Sequence, residues 1–438
     1  MRRYFYQLLR KYISLFVLPQ NSVVEIDPAT ELLVASMPNG RVSFRGSASV
    51  PTSTVAPDRS IALAAIKELR PDYIVLSGVV HYERDIQRML ADLHALSSTD
   101  TRLIITYYSS LWRPFITLAS WLGWREKTPE TNWLAHEDIG NLLSLEGFEL
   151  VRWDSKILLP LYVPLLSNFV NRYLAPLPFF RLFSIVNIVV ARPLFPDGDR
   201  PSVSIVVPAR NEAGNIQGIV DRIPSMGPND EIIFVEGNST DDTWEVIQRV
   251  QRESGRGDIT ICQQEGKGKG DAVRKGFSLA RNDVLMILDA DMTVPPEDLP
   301  KFYTALVSGK GEFINGSRLV YPLEKEAMRF FNIIGNKFFA MAFSFVLGQR
   351  YKDTLCGTKV LSRENYAKLA ANRSYFGEFD PFGDFDLIFG ASRMGLKIVE
   401  VPINYKQRVY GETNISRWRH GLILLGMLVF AARRIKFL

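Results

Sequence analysis

The chain has 438 residues, enough for two domains, with 47% hydrophobic residues and a formal net charge of +5. That hydrophobic share is ordinary for a water-soluble protein and excludes a bundle of many membrane spans, while the basic balance fits a membrane surface; no motif calls for nucleic acid as a partner. The two cysteines, Cys262 and Cys356, have neither a disulfide framework nor a metal-binding spacing, which makes a reducing cytoplasm the simplest compartment.

The segment from Met1 to Gln20 mixes Arg2, Arg3, Arg10 and Lys11 with aromatic residues. Its uncharged apolar part, Ile13 to Leu18, is too short for a signal peptide. Strands are predicted at Ser22–Ile26, Arg41–Phe44, Tyr73–Leu76, Arg102–Thr106 and Ile185–Ala191, and helical patterns at Ile61–Leu69 and Asp85–Leu96. Residues 1–193 are therefore expected to form an α/β unit of their own. Within it, Lys156 to Val190 is strongly apolar and carries Pro160, Pro164, Pro176 and Pro178. It either covers the sheet or touches lipid. Residues 194–201, rich in Pro, Gly and charge, are expected to be a linker.

The second half opens with the apolar run Val203–Val207, then Pro208-Ala209-Arg210-Asn211-Glu212. A second run, Glu231–Val235, ends in Glu236-Gly237-Asn238-Ser239-Thr240-Asp241-Asp242, and a helix is predicted over Trp244–Gln251. Glu265-Gly266-Lys267-Gly268-Lys269-Gly270-Asp271 precedes a predicted helix at Val273–Ala280. A third run, Val284–Leu288, ends in Asp289-Ala290-Asp291. Alternating strands and helices argue for a mostly parallel sheet, and such sheets bind ligands at the carboxyl edge. Two carboxylates one residue apart at that edge suit a hard divalent cation set against a diphosphate. An Asp-x-Asp triplet alone is a common surface turn, and "GKGKG" alone reads as a flexible one; their order in the series is what gives them meaning.

"VSIVVPARNEAGNI", "FVEGNSTDDTW", "GKGKGDAVRKGF" and "VLMILDADMT", in this order and spacing, resemble a family 2 glycosyltransferase of the GT-A fold. "INGSR" at Ile314–Arg318, "DTLCGTKVLSR" at Asp353–Arg363 and "RVYGETNISRWRHG" at Arg408–Gly421 resemble the dolichol- and polyprenyl-phosphate sugar synthases within it. The likeness runs from about Pro201 to Leu438.

The resemblance implies a role for each matching position. Pro208, Ala209, Arg210, Glu212 and Glu236 are expected around the nucleoside, and Lys269, Gly270, Asp271, Asp289 and Ala290 around the rest of the nucleotide-sugar. Asp289 and Asp291 are expected to hold Mg²⁺ or Mn²⁺. Glu236-Gly237-Asn238-Ser239 stands where the family usually has Asp-Asp-Gly-Ser, which leaves the nucleotide open. Asp291 and Arg318 are expected in catalysis, with a salt-bridged structural role as the competing reading for Arg318. Asp384 or Asp386 could serve as a base for a hydroxyl acceptor. A lipid phosphate needs no such base, because it is already an anion; cations that place it matter instead, with Arg408 and Arg417 as candidates. Asp353 either lines the acceptor site or caps a turn.

"PDYIVLSGVVHYERDIQRMLADLH", "RLIITYYSSLWRP" and "NWLAHEDIGNLLSLEGFELVRW" resemble a class I methyltransferase. The family's Gly-rich turn and ribose-binding acid are missing, however. The first strand runs into Asp27-Pro28-Ala29-Thr30-Glu31, and the second into Arg45-Gly46-Ser47. A degenerate domain is expected, and S-adenosylmethionine is not an expected cofactor.

Two segments raise the question of membrane contact. Met328–Gly348 is Phe-rich but interrupted by Arg329, Asn332, Asn336 and Lys337; Gly421–Ala432 is apolar, too short to span, and bracketed by basic residues. The fold expected is therefore two α/β domains, a Rossmann-like methyltransferase-type sheet (1–193) and a GT-A sheet (202–408), ending in an acceptor and membrane-contact segment with interfacial helices (409–438). The expected function is metal-dependent transfer of a sugar, with inversion, from a nucleotide-sugar to a polyprenyl phosphate. The protein would be cytoplasmic and peripheral on the inner face of the cell membrane. A hydroxyl acceptor in cell-surface polysaccharide synthesis is the alternative, an active methyltransferase domain a further one, and a scaffold with vestigial catalytic ancestry a third.

Overall fold

The computed structural model describes residues 2–17, 21–26, 41–44, 63, 66–122, 132–195, 200–318, 330–373, 383–408, 410 and 417–437; the side chains of 2, 41–44, 119, 330–334 and 417–420 are not among those described. The chain divides into two compact units, Met1–Phe195 with Ile435–Leu438, and Pro196–Arg434.

The first unit is built on six strands: β1 (Val23–Ile26), β2 (Arg41–Phe44), β3 (Tyr73–Ser77), β4 (Arg102–Tyr108), β5 (Phe148–Lys156) and β6 (Val186–Pro193). Their order across the sheet is β2-β1-β3-β4-β6-β5. β1 to β4 run parallel, and β6 runs antiparallel to both of its neighbours. Continuous apolar runs suit strands buried on both faces. Alternate residues accordingly feed two cores. Val24, Ile74, Leu76 and Ile105 meet helices Ile86–Leu96 and His136–Leu145, while Val23, Val75, Ile104 and Ile188 meet helix Arg2–Ile13. Asp85 starts helix Ile86–Leu96 by accepting from the Arg88 amide at 2.9 Å, as its residue type favours. Lys436 belongs to this unit and places its Nζ 3.2 Å from the buried Asp154 carboxylate, which Arg152 also holds at 2.7 Å.

Between β5 and β6 the apolar segment does not form a long helix. It makes short helical turns at Leu166–Phe169, Val170–Leu174 and Pro178–Arg181. Two of its polar side chains are inside, while Asn168 and Arg172 are exposed: Asn171 accepts from the Leu158 and Leu159 amides, and Ser167 donates to the Leu161 carbonyl. Its apolar side chains, Leu161 to Leu166 among them, are exposed.

The second unit has seven strands: β7 (Val203–Ala209), β8 (Glu231–Glu236), β9 (Ile259–Gln263), β10 (Val284–Ile287), β11 (Phe313–Ser317), β12 (Lys359–Ser362) and β13 (Ile398–Pro402). Their order is β13-β11-β12-β10-β7-β8-β9, all parallel except β12, which opposes β10 and β11. The chain winds from β7 outward through β8 to β9, then returns to lay β10 on the other side of β7. That reversal opens a crevice at the carboxyl ends of β7 and β10, where doubly wound sheets take ligands. Val206 pairs with Ile287, so the loops starting at Ala209 and Leu288 leave the sheet side by side. The helix predicted from Val273 begins four residues earlier, at Lys269, because Gly268 turns the chain with φ +87°. Lys269, Gly270 and Asp271 thus form a first helical turn, and a Cβ at Gly276 farther along would overlap Val206 on the sheet.

Candidate active site

Asp289 and Asp291 leave the end of β10 into the crevice, each already facing a protein cation. Lys269 Nζ lies 2.5 Å from Asp289 Oδ1. Burial disfavours both charges, but each outweighs that cost on the other. The Lys269 ammonium is held above its ordinary pKa against burial by Asp289, Asp384 and Asp291. The Asp289 carboxyl is held below its ordinary value against burial by Lys269, Lys359 and Arg318. Gly357, on the loop before β12, makes room for the pair: a Cβ there would overlap both Asp289 Oδ2 and Lys269 Nζ.

Asp291 is fixed through one oxygen by its own turn. Its Oδ1 accepts from the Thr293 amide at 3.1 Å and hydroxyl at 2.8 Å. Its Oδ2 receives Arg408 Nη2 at 2.7 Å, and Arg408 Nη1 reaches Glu212 Oε1 at 2.9 Å. One guanidinium therefore ties the loop after β7 to the loop after β10. Burial pushes the Glu212 carboxyl up to about 7; Arg408 and Asn215 oppose that, and Asp291 and Asp241 reinforce it. Tyr410 follows Arg408 onto the same loop, where a Cβ on Gly214 would come within 2.6 Å of its ring.

The loops around the expected nucleoside site are laced to one another. Asn211, at φ +57°, accepts from the Thr240 amide at 2.8 Å. Glu236 is buried and turned onto its own loop, accepting from the Ser239 amide at 2.5 Å and from Gln263 at 3.0 Å. Burial alone would raise its carboxyl; those hydrogen bonds outweigh it and lower the pKa. Asp271 accepts from the Gly266 amide at 2.9 Å and so closes the Gly-Lys loop. Ala209 and Ala290 are buried, Pro208 is half-buried, and Arg210 is exposed at the mouth.

The remaining sequence-predicted residues divide by placement. Arg318 makes a fork on Asp353, Nε to Oδ2 at 2.6 Å and Nη2 to Oδ1 at 2.8 Å, and stacks over Tyr405. Asp353 is 0% exposed and also accepts from the Arg318 and Leu355 amides, so it shapes the site from beneath. Asp384 starts helix Asp384–Arg393 and meets Lys359 Nζ at 2.9 Å. Asp386, two residues on, faces away from it, 3.5 Å from Arg373. The structure thus does not bring Asp384 and Asp386 together. Gly270 and Gly383 touch backbone to backbone, which seats Lys269 and Asp384 beside each other. The Arg417 side chain lies outside the described residues.

Sequence reasoning passed over Lys359 and Gly357. Lys359 is 0% exposed and joins Asp384 to the Cys356 carbonyl. Both sit inside the quoted "DTLCGTK", but a lysine in a strand ordinarily reads as solvated. Among the described residues no cluster of three or more His, Cys, Asp or Glu side chains is placed to hold a metal.

Residues 204–369 match the family model for glycosyl transferase family 2, a match that lies wholly within the second unit. The chain is similar to the dolichol-phosphate mannosyltransferase of Pyrococcus furiosus, at 30% identity over 49% of this chain and 59% of that one. It is also similar to the undecaprenyl-phosphate 4-deoxy-4-formamido-L-arabinose transferase of Edwardsiella ictaluri, at 29% over 52% and 66%. The chain thus spans less than two thirds of the length of each. Among solved structures, glucosyl-3-phosphoglycerate synthase from Mycobacterium tuberculosis aligns at 20% identity over 54% of this chain and 80% of that one, with a TM-score of 0.41. The second unit therefore carries the match to glycosyl transferase family 2, and β7 to β12, with the loops that bear Asp289, Asp291 and Lys269, lie almost wholly within the matched residues.

Proposed function

We propose that this protein transfers a sugar from a nucleotide-sugar to a polyprenyl phosphate at a membrane surface. The observation that carries the reading is the crevice that Asp289, Asp291, Lys269 and Arg408 share, each carboxylate paired with one cation. The relatives named for dolichol-phosphate and undecaprenyl-phosphate transfer support the lipid acceptor.

Mg²⁺ or Mn²⁺ fits this donor set. Magnesium sites commonly use one or two carboxylates and take their other ligands from water and phosphate, so a third protein ligand is not required. Asp289 and Asp291 would hold the ion, which supplies charge neutralisation for a departing diphosphate. The chain's own part follows from the ion pairs. Lys269 and Arg408 are the cations beside the two carboxylates, and phosphate oxygens can take their N–H donors when a nucleotide enters. The bond between the anomeric carbon and the diphosphate oxygen breaks, and a bond from that carbon to a lipid-phosphate oxygen forms. The electron pair leaves with the nucleoside diphosphate. One direct displacement inverts the anomeric carbon. The nucleophile carries no proton to remove, in keeping with Asp384 bound to Lys359 and Asp386 set against Arg373.

The first unit is best read as a methyltransferase-type domain without its cofactor. Its doubly wound sheet supports the likeness, and the glycine-free sequence Asp27–Glu31 after β1 opposes binding. A peripheral position on the inner face of the membrane fits a chain in which no described helix is long and apolar enough to cross. Turnover of UDP- and GDP-sugars by the full chain, with Mg²⁺ or Mn²⁺ and with or without polyprenyl phosphate, tests the reading. Lipid-dependent turnover lost in Asp291→Asn supports it; turnover indifferent to lipid moves the acceptor to a hydroxyl.

A further inference from the structure

The first unit carries a surface built the wrong way round for water. In the segment between β5 and β6, Ser167 and Asn171 are buried while Leu161, Tyr162, Val163, Leu165 and Leu166 are exposed. Leu165 is 87% exposed and sits at φ +63°, ψ −48°, with the Leu166 amide bonded to the Pro164 carbonyl at 2.7 Å. That is a γ-turn of the rarer, strained hand, held here by a leucine rather than a glycine. Backbone strain and exposed apolar area fall on the same residue. Neither is recovered in water.

The surface extends beyond this segment. Trp112 Nε1 donates to the Phe183 carbonyl at 2.9 Å, which joins helix Arg113–Trp121 to it. That helix exposes Phe115, Leu118 and Trp121, the last at 75%. On the other side, Tyr4 of helix Arg2–Ile13 packs edge-on against Tyr162 at 5.3 Å. All three stretches lack acids. There is no Asp or Glu before Glu25, between Asp100 and Glu126, or between Asp154 and Asp197. Arg3, Lys11, Arg113 and Arg172 are exposed among them.

We infer that this face of the first unit docks on an anionic lipid bilayer. Exposed aromatic and leucine side chains enter the headgroup layer, and basic residues with no acids among them meet the lipid phosphates. A second protein copy would bury the apolar side chains equally well, but it would bring the same positive charge to the contact. A lipid surface supplies the opposite sign. The inference does not depend on what the second unit transfers.

The test is sedimentation of the full chain with vesicles of phosphatidylcholine alone or mixed with phosphatidylglycerol. Binding is expected only to the mixed vesicles and to weaken with salt. Leu165→Gly removes the side chain and relieves the backbone, so the fold is retained; together with Trp121→Ser it should lower partitioning at least ~10-fold. Turnover of a short-chain prenyl phosphate in detergent should be unchanged in the same variant, which separates docking from transfer. Partitioning unchanged by Leu165→Gly with Trp121→Ser, or lost instead in Leu422→Ser of the second unit, would overturn the inference. So would a dimer in solution that these substitutions dissociate without altering vesicle binding.

Discussion

Arg408 Nη2 stands 2.7 Å from Asp291 Oδ2, although 117 positions separate the two in sequence. The same guanidinium reaches Glu212, so one planar fork serves two loops. Arg408→Lys keeps the charge and loses the fork. We predict a fall in sugar transfer of roughly 10- to 100-fold, the worth of about one charge-assisted hydrogen bond. Arg408→Met should lose more, since Glu212 and Asp291 then face each other without a cation. Steady-state kinetics on both variants would show the order, and equal losses would contradict a geometric role.

Gly357 has no side chain because Asp289 and Lys269 occupy the place where one would be. Gly357→Ala must push that pair apart. Overpacking of this kind costs about 1–3 kcal/mol of stability. The loss of nucleotide affinity should be out of proportion to that figure, because the displaced groups are those proposed to meet the diphosphate. Titration with the nucleoside diphosphate alongside a urea denaturation curve would compare the two effects.

Lys359 and Asp384 form an ion pair with almost no solvent contact. Removing one member leaves the other charged and buried, at a cost of about 3–5 kcal/mol. Lys359→Met should therefore destabilise the second unit strongly, and adding Asp384→Asn should recover part of the loss. If Asp384 were instead an indispensable base, Asp384→Asn alone would abolish transfer while leaving the fold intact.

Glu25 in the first unit gives a pH-dependent prediction of opposite sense to that of a salt-bridged acid. Burial pushes its carboxyl from an ordinary 4.5 up to about 8, and the Ser77 hydroxyl opposes this only in part. Below about pH 4.5 both folded and unfolded chains hold the proton, so the contribution is fully present. As pH rises the unfolded chain releases its proton first, and the contribution is lost progressively until pH passes about 8, at ~1.4 kcal/mol for each pH unit of the interval. Hydrogen exchange of the β1 and β3 amides should accelerate over that range, beyond the intrinsic pH effect. Glu25→Gln should abolish the extra acceleration.

The strands of the crevice were legible because buried parallel strands are unbroken apolar runs with sharp ends. Val203–Val207, Glu231–Val235 and Val284–Leu288 each lie within a residue or two of an observed strand. Asp289 and Asp291 were legible for the same reason, since a carboxylate at the end of such a run must emerge at the sheet edge. What the chain did not announce is pairing over distance. Arg318 with Asp353, and Lys359 with Asp384, are set by β12 running antiparallel between β10 and β11, and nothing local to "KVLS" marks that reversal. The segment Lys156–Val190 was ambiguous because hydropathy records how apolar a stretch is and not which side it shows. Ser167 and Asn171, whose side chains turn inward, look like ordinary loop polar residues until their backbone partners are known.

The contact of Gly270 with Gly383 bears on how this site can vary. A Cβ on Gly383 would lie 2.5 Å from Gly270 Cα, and one on Gly270 would lie 3.0 Å from Gly383 Cα. Most crowded pairs in a protein core allow exchange, one partner shrinking as the other grows. Here both partners are already the smallest residue there is. No second change can offset a first, and Gly383 needs glycine twice over, because its φ of +72° is itself left-handed. The two helix starts that carry Lys269 and Asp384 are therefore fixed at one separation, and diversification of this site must proceed through the residues around that point and never through it.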